Sequence, residues 1–137
     1  VLCIGQAGGR TSITVEQIAI NLIDASIADN QGNQPTDIPV FADGADGYFS
    51  TLPVKSMVKA IRQAGIPAAV SYSAGTFVCN QLMYGVLYYI HHSFPQTRGG
   101  FVHVPYIPQQ VTSMNRPAPC MALEDIVKGL EAAIRVL

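Results

Sequence analysis

Pro67-Ala68-Ala69-Val70-Ser71-Tyr72-Ser73-Ala74-Gly75-Thr76-Phe77-Val78-Cys79-Asn80 is the stretch that decides the fold. Pro67 to Tyr72 is a short, mainly apolar run of strand length. Ser73 to Thr76 is a turn of small residues. From about Phe77 to His92 the chain reads as a helix, and its apolar run Tyr84-Gly85-Val86-Leu87-Tyr88-Tyr89-Ile90 marks that helix as buried. Strand, tight turn and helix in succession form the unit of an α/β fold. Such a turn presents its residues at the edge of the sheet, where open α/β folds build their sites.

The flanks repeat the alternation. Before this stretch, Pro53 sits where a first helical turn tolerates proline. Val54, Met57, Val58 and Ile61 follow at i, i+3, i+4, i+7, with Lys55, Lys59 and Arg62 on the other face and Gly65 as the stop. Val1 to Ile4 reads as a strand stopped by Gly5, and Gln6 to Arg10 as a flexible glycine-rich turn. Ile13 to Ile23 fits a helical face or an alternating strand; its four isoleucines and one valine favour strand. Asp29 to Pro35 and Asp43 to Gly47 have loop chemistry. After the stretch, Phe101 to Val104 is a strand closed by Pro105. Glu124 to Leu137 is an amphipathic helix with Ile126, Val127, Leu130, Ala133 and Ile134 on its apolar face. Strands alternating with helices predict a mainly parallel sheet covered on both faces. The 137 residues make one domain. The chain opens inside an apolar strand with no predecessor, so its N-terminus is expected to be cut.

Composition narrows the function. Hydrophobic residues are 49% and charged residues 12%, about half the average share for a domain. That balance excludes disorder. Eight scattered Lys and Arg against nine Asp and Glu form no stripe that could track a phosphate backbone, so no nucleic-acid partner is expected. No apolar run reaches the ~18–20 residues of a spanning helix, so no membrane is expected either. Cys3, Cys79 and Cys120 are odd in number and widely spaced, which points to reduced thiols in the cytoplasm and to no metal site. So little charge also fits a chain that hides surface in a homo-oligomer.

Three residues could carry chemistry. Cys79 falls in the first turn of the predicted helix, where unpaired N–H groups carry about half a positive charge and favour a thiolate. His103, near the end of a predicted strand, is placed at the same sheet edge and could serve as its base. Glu16 is the one carboxylate in an apolar segment, so it must face solvent or hold a partner, such as an imidazole it orients. Each also fits a structural role taken alone: a packed cysteine, a core histidine, an exposed acid. His91 and His92 complement the C-terminal dipole of their helix. Gly5-Gln6-Ala7-Gly8-Gly9-Arg10 lacks the spacing of a nucleotide loop and suits close approach to a small polar ligand.

Four blocks then carry a resemblance. They are Gly5 to Arg10, Ile13-Thr14-Val15-Glu16-Gln17-Ile18-Ala19-Ile20-Asn21, Ser73 to Asn80, and Gly100-Phe101-Val102-His103-Val104-Pro105-Tyr106-Ile107-Pro108. In these the sequence resembles the pyroglutamyl peptidase family of cysteine peptidases, which remove N-terminal pyroglutamate from peptides. The resemblance implies a three-layer α/β/α sandwich with a mixed, mainly parallel sheet, phosphorylase- or hydrolase-like and N-terminally truncated. It implies that Cys79 is the nucleophile, His103 the base and then acid, and Glu16 the residue that orients His103. Phe77 matches an aromatic of the lactam pocket, and Gln6 lies in the loop whose backbone the family uses near the ring. The implied substrate is a pyroglutamyl peptide, with no cofactor or metal, in a homotetramer. Where the family typically has Arg-Ile-Pro-Asp-Asn this chain has Ser26-Ile27-Ala28-Asp29-Asn30, and the family's N-terminal third, with one wall of the ring pocket, is absent. The alternative is a weak or inactive fragment that serves as an assembly partner. A nucleoside ligand, raised by the likeness of the fold to nucleoside phosphorylases, has no phosphate- or base-recognition motif to support it.

Overall fold

A computed structural model describes all residues from Val1 to Leu137. In chain order the elements are β1 (Leu2–Gln6), β2 (Ile13–Glu16), β3 (Ile18–Ile20), β4 (Gly47–Phe49), α1 (Val54–Gln63), β5 (Ala68–Ser71), α2 (Val78–Ser93), β6 (Gly100–Val104), α3 (Pro108–Val111) and α4 (Leu123–Ile134). Four strands form the main sheet in the order β1-β6-β2-β5. β1 is parallel to β6 and β2 to β5, while β6 and β2 run antiparallel between them. The sheet is therefore mixed and mainly parallel.

All four residues of β2 and the first four of β6 are buried, because helices cover both faces of the sheet. The two-residue period sorts them. Ile13, Val15 and Val102 pack with Met57, Val58 and Ile61 of α1 and Ile126 and Ala133 of α4. Phe101 packs on the other face with Met83, Tyr84 and Leu87 of α2. Full burial of each large apolar side chain contributes about 1.5–3 kcal/mol, so the two layers fix which way every strand faces. That alternation sends Thr14, Glu16 and His103 to the α2 side.

Helix α1 starts after Pro53 and stops at Gly65, whose φ of +83° only glycine adopts cheaply. The segment from Ile13 to Ile23 departs from the single strand expected of it. It breaks at Gln17, where β2 leaves the main sheet and β3 enters a two-stranded ribbon with β4. Gln17 satisfies both sides of the crossing: its N–H donates to Ser71 O (2.7 Å), and its carbonyl accepts the Ser50 N–H (2.9 Å). β4 and α3 had no signal in the sequence. No helix is long and apolar enough to cross a membrane.

Candidate active site

The turn between β5 and α2 is built by its small residues. Gly75 has φ +83°, the Ser73 hydroxyl accepts the Gly75 N–H (3.2 Å), and the Thr76 hydroxyl donates to Asp24 O (2.8 Å). Helix α2 then begins at Val78, with Phe77 as an N-cap that offers no side-chain acceptor. The Gln81 N–H bonds the Phe77 carbonyl (3.0 Å), which leaves the N–H groups of Val78, Cys79 and Asn80 ahead of the first intrahelical bond. Asn80 anchors the start. Its side chain accepts the Ile20 N–H (2.9 Å) and donates to the Ile20 (2.9 Å) and Leu22 (3.1 Å) carbonyls.

Cys79 lies half-buried in that first turn, over the end of β1. A methyl group placed on Gly5 would come within 3.2 Å of the Cys79 sulfur. Gly5 is the register partner of His103, so the thiol sits one strand from the imidazole. His103, 3% exposed, shares a hydrogen bond between its Nδ1 and Glu16 Oε1 at 2.7 Å. Its Nε2 is left for a second partner. The shared-edge expectation for Cys79 and His103 is corrected by the topology. Because β6 runs antiparallel to β2 and β5, the C-terminal ends of β5 and β6 point to opposite edges. Glu16 and His103 meet instead on the face of the sheet, diagonal across β2 and β6, and α2, which carries Cys79, packs on that same face.

Glu16 is fully buried. Burial alone would raise its carboxyl, but the His103 bond, the Ser71 hydroxyl and the charge and bond of Arg10 outweigh it and hold Glu16 below the usual carboxylate range. Arg10 Nη1 donates to the same Oε1 at 2.8 Å and also to the Thr14 hydroxyl, and Nη2 reaches Ser73 O at 3.4 Å. The other oxygen, Oε2, is buried without a partner. Arg10 was missed in the sequence, where it read as part of a flexible turn. The available signal was Glu16 itself, a buried acid that required a cation.

The Cys79 thiol also differs from expectation. Burial pushes it up, the Glu16 charge pushes it further, and Arg10 draws it back; the net direction is upward despite the helix N-terminus. A thiol in that state is protonated at neutral pH. Gln6 is exposed at the end of β1, and its amide exchanges hydrogen bonds with Gln110 of α3 (2.6 and 3.2 Å). Phe77 is half-buried and lines a groove of about 530 Å³ with Ile27, Asn30 and Gln81. Ser26 is exposed in the segment that enters this groove. No three His, Cys, Asp or Glu side chains converge as metal ligands.

The model of the pyroglutamyl peptidase family matches residues 1–137. The chain belongs to the pyroglutamyl peptidase family. Pyrrolidone-carboxylate peptidases are among its relatives. That of Clostridium botulinum is 58% identical over 135 residues, covering 98% of this chain and 63% of the relative. That of Streptococcus pneumoniae is 57% identical over 138 residues, covering 100% and 64%. Among solved structures, pyroglutamyl peptidase I from Bacillus amyloliquefaciens superposes with a TM-score of 0.95 at 49% identity, over 98% of this chain and 63% of that one. Pyrrolidone carboxyl peptidase from Thermococcus litoralis gives 0.92 at 42% identity, over 99% and 64%. The chain thus spans less than two thirds of the length of these family members.

Proposed function

We propose that this chain carries the catalytic residues of a thiol peptidase that removes an N-terminal pyroglutamyl residue from peptides. The observation that carries the reading is the 2.7 Å contact between buried Glu16 and His103 beneath the helix turn that bears Cys79, in a member of this family. Cys79 Sγ attacks the pyroglutamyl carbonyl carbon while its proton passes to His103 Nε2. Glu16 holds Nδ1–H and stabilises the imidazolium that forms. The Cys79 N–H, free of any intrahelical bond, donates to the developing oxyanion. Collapse breaks the C–N bond, and His103 returns the proton to the leaving amine. Water, deprotonated by His103, then cleaves the thioester to pyroglutamate and restores the thiol.

Phe77 contributes an apolar wall for the flat, uncharged lactam, and Gln6 the nearby backbone. A free ammonium would lose its hydration there, which selects for the blocked N-terminus. The 137 residues belong to a single peptidase domain that has a further part in the longer relatives. Self-association, as a tetramer, belongs to the same reading, supported by the exposed apolar side chains of Val78, Leu82, Tyr89 and Phe94. Three free cysteines suit a reducing cytoplasm.

The test is release of a fluorophore from a pyroglutamyl amide, by this chain and by the chain extended with the additional segment of the Clostridium botulinum relative. Hydrolysis by either one, abolished by Cys79→Ser, is the expected result. If neither form cleaves the amide, or the Cys79→Ser variant retains turnover, the reading fails.

A further inference from the structure

We infer that Arg10 is a positioning residue of this site: its guanidinium holds the oxygen of Glu16 that His103 also bonds, and it ties that acid to the turn leading into the Cys79 helix. The inference rests on the roles given to Cys79, His103 and Glu16 above. Its basis is geometric. Glu16 is 0% exposed, and both of its bonded donors meet at Oε1, from His103 at 2.7 Å and from Arg10 at 2.8 Å. Oε2 has no partner. A buried carboxylate with one orphaned oxygen therefore depends heavily on the His103 and Arg10 donors at the other. Removing one leaves a charge that must find a proton or draw one onto its neighbour.

Arg10 is held for this task. Its Nη1 also bonds the Thr14 hydroxyl, and its Nη2 reaches Ser73 O, so it ties the β1–β2 loop to both β2 and the turn that launches α2. Tyr106 covers that loop: a methyl group on Gly8 would fall 2.1 Å from the Tyr106 hydroxyl. The guanidinium is 27% exposed while the acid beneath it is fully buried. Arg10 thus closes the solvent side of the ion pair.

The groups that bear on the Cys79 thiol come from each element packed against it. Glu16 from β2 and Arg10 from the β1–β2 loop act on it through their charges, while His103 of β6 bonds the same Glu16 and Cys3 of β1 packs on the same apolar cluster. Glu16 disfavours the thiolate and Arg10 favours it. With Arg10 present the orienting acid can stay ionised for His103 without holding the nucleophile protonated. Without it, the same acid works against the sulfur.

The experiment measures iodoacetamide alkylation of Cys79 against pH, following the Cys79 peptide by mass spectrometry. It needs no substrate, so its outcome is separate from whether the chain hydrolyses pyroglutamyl amides. Arg10→Gln is expected to move the midpoint upward by about half a pH unit or more, a roughly threefold or greater fall in rate at pH 7. Arg10→Lys, which keeps the charge, is expected to recover most of that loss. If Arg10→Gln alone leaves Glu16 too exposed to its own charge to fold, the pair Glu16→Gln and Arg10→Gln/Glu16→Gln replaces it. Removing both charges avoids the unpaired acid. The double variant is then expected to have the higher midpoint of the two. An unmoved midpoint in folded Arg10→Gln, or equal midpoints in that pair, overturns the inference.

Discussion

Gly5→Ala is the sharpest probe of how the site is assembled. Gly5 lies opposite His103 in the β1–β6 register. An added methyl carbon would stand 2.6 and 2.9 Å from Cζ and Cε1 of Phe101 and 3.2 Å from the Cys79 sulfur. Contacts below 3 Å cannot persist, so something moves. Phe101 is 1% exposed within the α2 layer, and its ring lies 4.7 Å from that of His103, so it cannot retreat without disturbing the imidazole. The sulfur can move, but that shifts it relative to the strand that carries the imidazole. Overpacking of this kind costs about 1–3 kcal/mol of stability. A displacement of about 1 Å between reacting groups costs on the order of 100-fold in rate. Urea unfolding reads the first quantity, and pyroglutamyl amide hydrolysis by an active form reads the second. Gly65→Ala is the control: at φ +83° with open space around it, it should cost about 1–2 kcal/mol by backbone strain alone and leave the rate unchanged. Normal rate and stability in Gly5→Ala would refute the placement of Cys79 against β1 and β6.

Three further outcomes follow from the same geometry. Because the folded state holds Glu16 below its ordinary carboxylate value, that stability is present above about pH 4.5 and is lost as the pH falls through the lower folded value; the urea midpoint of the wild-type chain should drop on acidification, and Glu16→Gln should flatten the drop. Asn80→Ala strands the Ile20 N–H and the Ile20 and Leu22 carbonyls, and should lower unfolding free energy by about 2–4 kcal/mol in chemical denaturation. Ser26→Arg restores the charge typical of the family at the mouth of the Phe77 groove; on the proposed function it should raise kcat about tenfold or more with little change in KM, and an unchanged kcat would remove Ser26 from the account.

The residues that were legible in the sequence share a reason. The α1 face, its stop at Gly65 and the turn from Ser73 to Thr76 are local: the periodicity or turn chemistry that makes them lies within a few residues. Glu16 stood out because a carboxylate among isoleucines has few options. What failed was non-local. The break at Gln17 is imposed by Ser71 and Ser50, both distant in sequence, and both halves of the segment alternate as strands do. The antiparallel step between β2 and β6 has no local signature, so the sequence places His103 at the wrong end of the sheet even as it points to Glu16 as a partner. The upward direction at Cys79 likewise depends on burial and on Glu16, neither visible in the helix turn that carries the thiol.

The strand order β1-β6-β2-β5 also sets a schedule. Within these 137 residues β1 pairs with β6, Leu2 with Gly100 through Gln6 with Val104, and β6 lies between β1 and β2. A chain emerging from the ribosome can form α1, β2, β5 and α2 before β6 exists for β1 to pair with. Contacts so distant in sequence form late. Cys79 can therefore emerge and join its helix long before His103 and the edge that carries Gly5 close beneath it. The Cys79 helix is made early and the strand that carries His103 joins it later, so a partly synthesised chain has the thiol without the imidazole.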